Sequence, residues 1–214
     1  MTSVSESKST LLPLSHCGDI SIVDNNISGV FHAIDFSLWQ SILSFHREVS
    51  KAIDAESISY HAWNEDAQTY DTIIPYQLTN SKGLSVDVDW EDKRNIELLD
   101  DFAQKNGRAF PWPYCCTIHT HVNAAAFESG TDAADEADLP GWHMTIGHLL
   151  SHNKIDLHTR LRLPKLKHVT ELTDTTTAYD FSPALLFDVE INRVECCNRT
   201  ENTFHEHFDR IYYY

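Results

Sequence analysis

The spacing of hydrophobic residues changes along the chain, and each change predicts a different element. Residues 20–34 have the apolar content of one or two strands, with turn signals at Asn25-Asn26 and Gly29. From Asp35 the apolar positions recur at helical spacing. They are Trp39, Ile42, Leu43, His46, Val49 and Ile53. This pattern predicts an amphipathic helix over 36–54, with Asp35 or Ser37 as its N-cap.

Alternation then replaces the helical period. Residues 56–63 alternate between apolar and polar side chains as in a strand, and further strands are predicted near 69–78 and 84–90. A second helix is predicted over about 92–105, ending at Gly107. Its predicted apolar face consists of Ile96, Leu99, Phe102 and Ala103.

The second half of the chain has mainly strand patterns. A short acidic helix is predicted from Gly130 to Pro140-Gly141. The predicted strands cover 114–121, 142–150, 155–163 and 184–195. We expect a flexible tail over 1–15 and a single α/β domain over 16–214, with a mixed sheet flanked by helices and a C-terminal extension from about 165.

Composition narrows the possible partners. The formal net charge of −16 disfavours nucleic acid, because an acidic surface repels phosphate. No apolar run approaches the roughly 20 residues that span a bilayer, so we expect no membrane association and no signal peptide. The five cysteines include two adjacent pairs and no CxxC spacing. This arrangement favours reduced, buried thiols in a cytoplasmic protein.

Two histidines and a carboxylate form the most informative pattern. His119 and His121 lie two residues apart on a predicted strand, so both rings face the same side. Asp132 follows eleven residues later, and Ser129 precedes it by one helical turn. Two imidazoles and one carboxylate can bind zinc and leave a fourth position for water, as in catalytic zinc sites.

The spacing H-x-H, seven residues, S-x-x-D resembles the JAMM motif of the JAB/MPN-domain metalloproteases. The segment from Leu139-Pro140-Gly141-Trp142-His143 onward also resembles their prokaryotic and phage-borne members. The resemblance implies a JAB/MPN-like domain of cytidine-deaminase-like architecture. It also implies a zinc enzyme that cuts peptide or isopeptide bonds at the C-terminal tail of a ubiquitin-like or other small protein. E1-like or E2-like partners encoded nearby are a further implication.

The resemblance also implies a glutamate between the first helix and the next strand. Glu56 stands in that setting, while Glu48 and Glu65 are the alternatives. The implied roles are general base for Glu56, oxyanion donor for Ser129, and zinc ligands for His119, His121 and Asp132. Two features of the sequence depart from the family pattern. Val122 replaces the usual proline after the second histidine, and residues 58–61 replace a glycine-rich strand.

Other interpretations of the same residues remain open. Ser129-x-x-Asp132 is also the pattern of a helix cap, and His-x-His alone is typical of a half-buried pair. The acidic cluster over 132–138 is expected to be mainly a solvated helix face. His143 and His148 are expected to be structural or to contact the ligands. A non-catalytic MPN-like scaffold that binds partners is the alternative function.

Overall fold

The computed structural model describes the chain mainly between residues 34 and 162. The described ranges are 10–12, 20–23, 26–29, 32, 34–80, 85–111, 115–137, 139, 141–151, 154–162, 169–177 and 194–197. Within them the helices are α1 (Phe36–Ile53), α2 (Lys93–Asn106) and α3 (Gly130–Asp135). The strands are β1 (Thr10–Leu12), β2 (Ile20–Val23), β3 (Asn26–Gly29), β4 (Ile58–Asn64), β5 (Thr69–Ile73), β6 (Gln77–Asn80), β7 (Val86–Asp87), β8 (Cys116–Thr120), β9 (Gly141–Gly147), β10 (Lys154–Arg162), β11 (Val169–Thr177) and β12 (Val194–Cys197).

The two long predicted helices are confirmed to within one residue at each end. Asp35 caps α1, because its carboxylate accepts a hydrogen bond from Leu38 N at 3.0 Å. Helix α2 ends at Gly107, which has a left-handed φ of 66° as a terminating glycine usually does. Helix α3 begins at the predicted residue but is shorter than predicted, because the chain leaves it at the buried residue Glu136.

A six-stranded sheet forms the centre of the described structure, in the order β11-β10-β9-β8-β4-β5. Strands β8 and β9 run parallel, and the other neighbouring pairs are antiparallel. The predicted α/β class, with a mixed sheet flanked by helices, is therefore confirmed. Every residue of β8 is buried, because it lies between β4 and β9.

Two predicted strands differ from the structure. The strand predicted near 69–78 is two strands, because Pro75 lies between β5 and β6 and cannot donate to a ladder. Strand β6 joins a separate three-stranded sheet, β12-β6-β7, and the strand predicted over 84–90 is reduced to β7. Gln77 still links β6 to β4, because its amide bonds to Ile58 N at 2.7 Å and Ile58 O at 3.0 Å.

Helix α1 packs against one face of the central sheet. Five of its six predicted apolar-face positions are buried, namely Trp39, Ile42, Leu43, His46 and Val49. The helix meets Ile118, Ile146 and Leu157 from β8, β9 and β10. Neighbouring residues of a strand point to opposite faces. The face away from α1 therefore presents His119, Thr145 and His158.

Helix α2 packs on that second face, beside β4. Its residues in this contact are Leu98, Leu99 and Phe102. The predicted face is wrong for Ile96, which is 46% exposed. Asn95 takes the inward position of the first turn, where its amide bonds to Tyr76 N at 2.7 Å and Tyr76 O at 2.9 Å. A buried polar side chain here satisfies two backbone groups between β5 and β6.

The loop that joins β8 to α3 passes directly over β9 at Gly147. A Cβ atom on Gly147 would lie 2.1 Å from Ala126 N, 2.5 Å from Ala125 C and 2.7 Å from Ala124 O. His148 N donates to Ala124 O at 2.8 Å and holds the same contact. A side chain at position 147 would push the loop off the sheet, so the close approach requires glycine.

Several predicted features fall wholly or partly outside the described residues. The predicted tail over 1–15 is described only at β1, which pairs with β2. The strand predicted over 184–195 is described only from 194, within β12. Of the extension predicted from about 165, β11 and β12 are described. Strand β11 was not indicated by any hydrophobic pattern.

Two expectations from composition can be compared with the structure. Cys115 and Cys116 are free and buried, as predicted for reduced thiols. The side chains of Cys17, Cys196 and Cys197 lie outside the described residues. Among the helices of the described ranges, none combines the length and the apolar character that crossing a bilayer requires.

We predict that Gly147→Ala lowers the free energy of unfolding by about 1–3 kcal/mol, because the new methyl group meets backbone that cannot yield easily. The matched control is Gly130→Ala, where no atom lies within 4 Å of the added Cβ. That variant should stay within about 0.5 kcal/mol of the parent. Urea denaturation of both variants measures the difference, and equal losses would contradict the close approach at Gly147.

Candidate metal centre

Strand β8 presents the two predicted histidine ligands at one end of the central sheet. His119 lies opposite Ile58 of β4 and Thr145 of β9. His121 follows the strand directly, and its N–H donates to Ile146 O at 2.9 Å, so extended pairing continues for one more residue. The two imidazoles consequently lie on the same side of the sheet, with ring centroids 5.3 Å apart.

Helix α3 presents Asp132. Ser129 is the N-cap, and its Oγ accepts a hydrogen bond from Asp132 N at 3.1 Å. The Asp132 Oδ2 atom accepts in return from Ser129 N at 2.7 Å, which completes a capping box. The helix-cap interpretation of this pair is therefore confirmed. It is compatible with a ligand role, because the Asp132 carboxylate also faces both imidazoles.

The three side chains converge at distances that suit a shared ion. His119 Nε2 lies 3.4 Å from Asp132 Oδ1, and His121 Nε2 lies 3.5 Å from Asp132 Oδ2. Both separations exceed the usual hydrogen-bond range of about 2.7–3.2 Å. Two ligands at about 2.0–2.1 Å from a tetrahedral zinc lie about 3.3–3.4 Å apart. One ligand atom from each residue lies within 4.8 Å of the others, so the three residues could hold a metal ion.

Burial and charge shift the proton affinities at this site. Burial alone would raise the pKa of Asp132, but contacts with His119 and His121 outweigh it and hold the pKa well below its usual value. Burial alone would lower the pKa of His121, but its contact with Asp132 and the charge of Glu56 raise it. Because a metal binds unprotonated imidazole, metal binding here should release protons and weaken at acidic pH.

Glu56 lies between α1 and β4 and is 7% exposed. The next residue, Ser57, forms hydrogen bonds to Thr120 of β8 and to His46 of α1. Its N–H donates to Thr120 Oγ1 at 3.3 Å, and its carbonyl accepts from Thr120 N at 3.2 Å. Its hydroxyl bonds to His46 Nδ1 of α1 at 2.7 Å. Since Thr120 stands between the two histidines in sequence, these bonds keep Glu56 beside them.

The two alternative glutamates lie elsewhere. Glu48 is half exposed on α1 and pairs with Lys51 at 2.6 Å. Glu65 is in the turn between β4 and β5, and its side chain is 69% exposed. Glu56 alone of the three lines the cavity that contains His119 and Asp132. Burial raises the pKa of Glu56 to about 7. The charge of His121 lowers this pKa, and the charge of Asp132 raises it.

Val122, the first departure from the family motif, has a left-handed backbone with φ of 47°. A β-branched residue is strained in this region. Proline, with φ near −65°, could not adopt this conformation, so the turn after His121 is not the one that a proline would form. The strained turn is held by a hydrogen bond from Leu149 N to Val122 O at 2.8 Å.

A cavity of about 790 Å³ opens above the three ligands and extends along the face of the sheet. This volume is in the range of sites that bind drug-sized ligands or short peptide segments. One wall is apolar and includes Ile58, Tyr60, Val86, Val88, Trp90 and Phe127. Tyr60 and Trp90 meet edge to face, with ring centroids 5.1 Å apart. The cavity could therefore accept an apolar segment next to the metal-binding residues.

His143, from the Pro-Gly-Trp-His segment, has a structural role in the described structure. Its Nε2 donates to Leu139 O at 2.8 Å, because a carbonyl oxygen can only accept. The other nitrogen, Nδ1, therefore accepts from the Thr117 hydroxyl at 2.7 Å. Burial lowers the pKa of His143 to about 4, so the ring is neutral at pH 7. His143 thus fixes the chain that leaves α3 onto the sheet.

A buried polar layer beside the three ligands was not predicted. Glu136, expected on a solvated face, is 5% exposed and accepts from Arg160 Nε at 2.9 Å. That part of the prediction is wrong, because α3 lies on a sheet face that is itself polar. The alternation of His158, Arg160 and Arg162 with Leu157 and Leu161 along β10 was the signal that could have identified this face.

We predict that Glu56→Gln changes how the stability of the metal-free protein depends on pH. The folded pKa of about 7 lies above the ordinary value of 4.5, so folding favours the protonated carboxyl. The stability from this group is complete below about pH 4.5 and is lost as the pH rises past 7. At pH 8.5 the glutamine variant should be more stable than the parent by up to about 3 kcal/mol.

Chemical denaturation of both proteins with excess chelator, at pH 4.5 and pH 8.5, measures this effect. The parent should lose stability relative to Glu56→Gln between these pH values. Glu65→Gln is the control, because it removes the same charge from an exposed turn away from the site. A Glu56→Gln variant that follows the parent at both pH values would show that the carboxyl is not buried as described.

Comparisons of the chain with protein-family models, curated proteins and solved structures find no match. The resemblance to JAMM proteases therefore depends on the spacing of His119, His121, Ser129 and Asp132 and on the segment after Leu139. Any function has to be inferred from the geometry and chemistry of the site itself.

Proposed function

We propose that this protein is a zinc-dependent hydrolase of peptide or isopeptide bonds, of the JAMM type. The single observation that supports the proposal is the convergence of His119, His121 and Asp132, at 3.4 Å and 3.5 Å between imidazole nitrogens and carboxylate oxygens. A site built from three protein ligands leaves a coordination position for a reactant, whereas structural zinc sites usually have four protein ligands.

The choice of zinc follows from the donor atoms. Two imidazole nitrogens and one carboxylate oxygen match known catalytic zinc sites, while Ca²⁺ and Mg²⁺ prefer oxygen ligands throughout. A bound zinc ion would supply a Lewis acid that activates water and polarises the scissile carbonyl. His121 is suited to this use, since its Nδ1 contacts Ala125 O at 3.3 Å and leaves Nε2 to bind the ion.

Glu56 is the proposed general base. Its carboxyl group lines the same cavity as the ligands, and burial places its pKa near the pH at which the enzyme would work. A group with such a pKa can accept a proton from water and then deliver it to the leaving amine. Neither Glu48 nor Glu65 lines this cavity, so Glu56 is the best placed of the three candidates.

Ser129 is the proposed donor to the oxyanion. Its Oγ accepts the Asp132 N–H bond, so the hydroxyl hydrogen stays available to donate. Ser129 also lines the cavity, which supports this role. Donors of this type contribute about 10²–10³ in kcat.

The proposed substrate is the C-terminal tail of a ubiquitin-like or other small protein, or its conjugate with a lysine side chain. The cavity of about 790 Å³ supports this choice, because its apolar wall would contact side chains next to the scissile bond. Cytoplasmic location, a prokaryotic source and E1-like or E2-like partners belong to this proposal through the family resemblance alone.

We predict that the purified protein holds one zinc ion per chain and cleaves an isopeptide bond between a ubiquitin-like protein and a fluorescent lysine peptide. Glu56→Gln should lower kcat by about 10²–10⁴ while zinc content is unchanged, because the base is lost and the ligands are kept. Metal analysis and initial-rate measurements on the same preparation test both statements.

Two matched controls sharpen this experiment. Glu48→Gln and Glu65→Gln remove the same charge from positions outside the cavity, and both should keep the parent rate. A stoichiometric zinc content without hydrolysis of any peptide or isopeptide probe would contradict the enzyme. A folded, metal-free protein that binds a partner would support the alternative of a non-catalytic scaffold.

A further inference from the structure

Helix α3, which presents Asp132, is not held in place by a hydrophobic contact. It has six residues, and none of them is buried. So short a helix is unstable alone, because helices shorter than about 12 residues are marginal in water. Other contacts must therefore determine where the Asp132 carboxylate lies relative to the two imidazoles.

Two glutamates anchor the segment on either side of the Ser129–Asp132 pair. Glu128 precedes Ser129 and forms an ion pair with Arg162 of β10. Glu136 follows α3 and forms a two-pronged ion pair with Arg160, in which Nε donates to Oε2 at 2.9 Å and Nη2 contacts Oε1. Glu136 N also donates to Asp132 O at 2.9 Å, which ties this anchor directly to the ligand residue.

Arg160 reaches the second half of the site as well. Its remaining nitrogen, Nη1, donates to Thr145 Oγ1 at 2.9 Å. Thr145 Oγ1 in turn lies 3.2 Å from His119 Nε2. All three side chains are buried: Arg160 and Thr145 are 0% exposed, and His119 is 4% exposed. Arg160 is therefore linked to Asp132 through Glu136. In the metal-free protein it is also linked to His119 through a hydroxyl that donates to Nε2, the nitrogen that a metal would bind in its place.

We propose that Arg160 is a positioning residue for the metal centre, which joins the strand that supplies His119 to the helix that supplies Asp132. The inference rests on the metal site of the proposed function, but it concerns ligand placement and not hydrolysis. Without Arg160, the buried Glu136 carboxylate keeps the longer contact with Arg162 Nε, at 3.5 Å, and the chain after α3 loses its two-pronged ion pair. The Thr145 hydroxyl then no longer has a fixed direction.

The guanidinium shape is essential to this role. Arginine offers five donors in a planar fork, so it can bind both oxygens of Glu136 and still reach Thr145. Lysine has the same charge on a single nitrogen and cannot make this set of contacts from one position. Charge and geometry can consequently be separated by experiment.

The experiment measures zinc affinity of the full-length chain by competition with a chromophoric chelator, so hydrolysis is not needed as a readout. We expect Arg160→Gln to weaken zinc binding by about 10–100-fold, the usual effect of losing a partner of metal ligands. Arg160→Lys should show a comparable loss. Restoration of the parent affinity by lysine would show that charge suffices, and would overturn the positioning role.

A matched control separates positioning from general destabilisation. Arg108→Gln breaks another arginine–carboxylate pair, with Asp71, that has no described contact with the ligand residues. It should lower thermal stability and leave zinc affinity within twofold of the parent. An equal loss of affinity in Arg108→Gln and Arg160→Gln would contradict the proposal.

Glu136→Gln provides a second test that keeps Arg160 and serves if Arg160→Gln fails to fold. It weakens the ion pair that holds the chain after α3, and we expect about a tenfold weaker affinity for zinc. Parent-like affinity in a folded Glu136→Gln or in a folded Arg160→Gln would overturn this inference and leave the metal site standing. A parent protein that binds no zinc would overturn both.

Discussion

The return of the chain over β9 at Gly147 fixes the path of the loop that leads from the two histidines to Asp132. The two histidines are on β8, but Asp132 follows a loop that has to cross back over the neighbouring strand. The crossing is possible because residues 124–126 lie against the bare Cα of Gly147, closer than any side chain would allow. Hydrogen bonds to β9 and the turn after it then hold the loop in that path. The approach of Asp132 to the two imidazoles therefore depends on this backbone-to-backbone contact, and the ion pairs on either side of α3 then anchor the helix.

The two faces of the central sheet have different physical characters. The face toward α1 is apolar around Ile118, Ile146 and Leu157. Beside β4 it also contains the buried hydrogen bonds of His46 with Ser57 and Ser59. The opposite face contains, near the site, buried polar side chains that include Thr117, His119, His143, Thr145 and Arg160. Buried polar groups are costly unless they are paired, and here they bond to one another and to the chain around α3. The candidate metal ligand His119 and the buried polar side chains around it therefore lie on the face of the sheet away from α1.

Strain and unfavourable burial are concentrated around the proposed active site. Val122 has a left-handed backbone beside His121, and Glu56 is a buried carboxyl with a raised pKa. Both features lower the stability of the fold. Both lie beside the candidate metal site, and strained or buried groups of this kind are common at functional sites. The apolar packing of α1 against the sheet stabilises the fold and offsets the strain at Val122 and the burial of Glu56.

The sequence by itself determined the local elements and the identity of the candidate ligands. Periodicity is a local property, so the two long helices, the capping residues and the central strand β8 were predicted to within a few residues. The spacing of His119, His121 and Asp132 was readable for the same reason, since a strand and a helical turn fix which side chains share a side. The split at Pro75 was mispredicted although a proline is a local signal against a continuous strand. The exposure of Ile96 was mispredicted because it depends on how α2 lies against β4, a contact between segments that are distant in sequence.

Only the tertiary structure decided which residues support those ligands. Arg160 and Thr145 come from strands that follow the motif, and their roles arise from sheet register, which no local pattern encodes. Burial of Glu136 likewise depends on how α3 lies on the sheet. The sequence favoured Glu56 over Glu48 and Glu65 by its position after the first helix, and in the structure Glu56 alone of the three lines the cavity. Spacing along the chain selects the residues that can bind a metal, whereas contacts between distant segments hold them at the distances that binding requires.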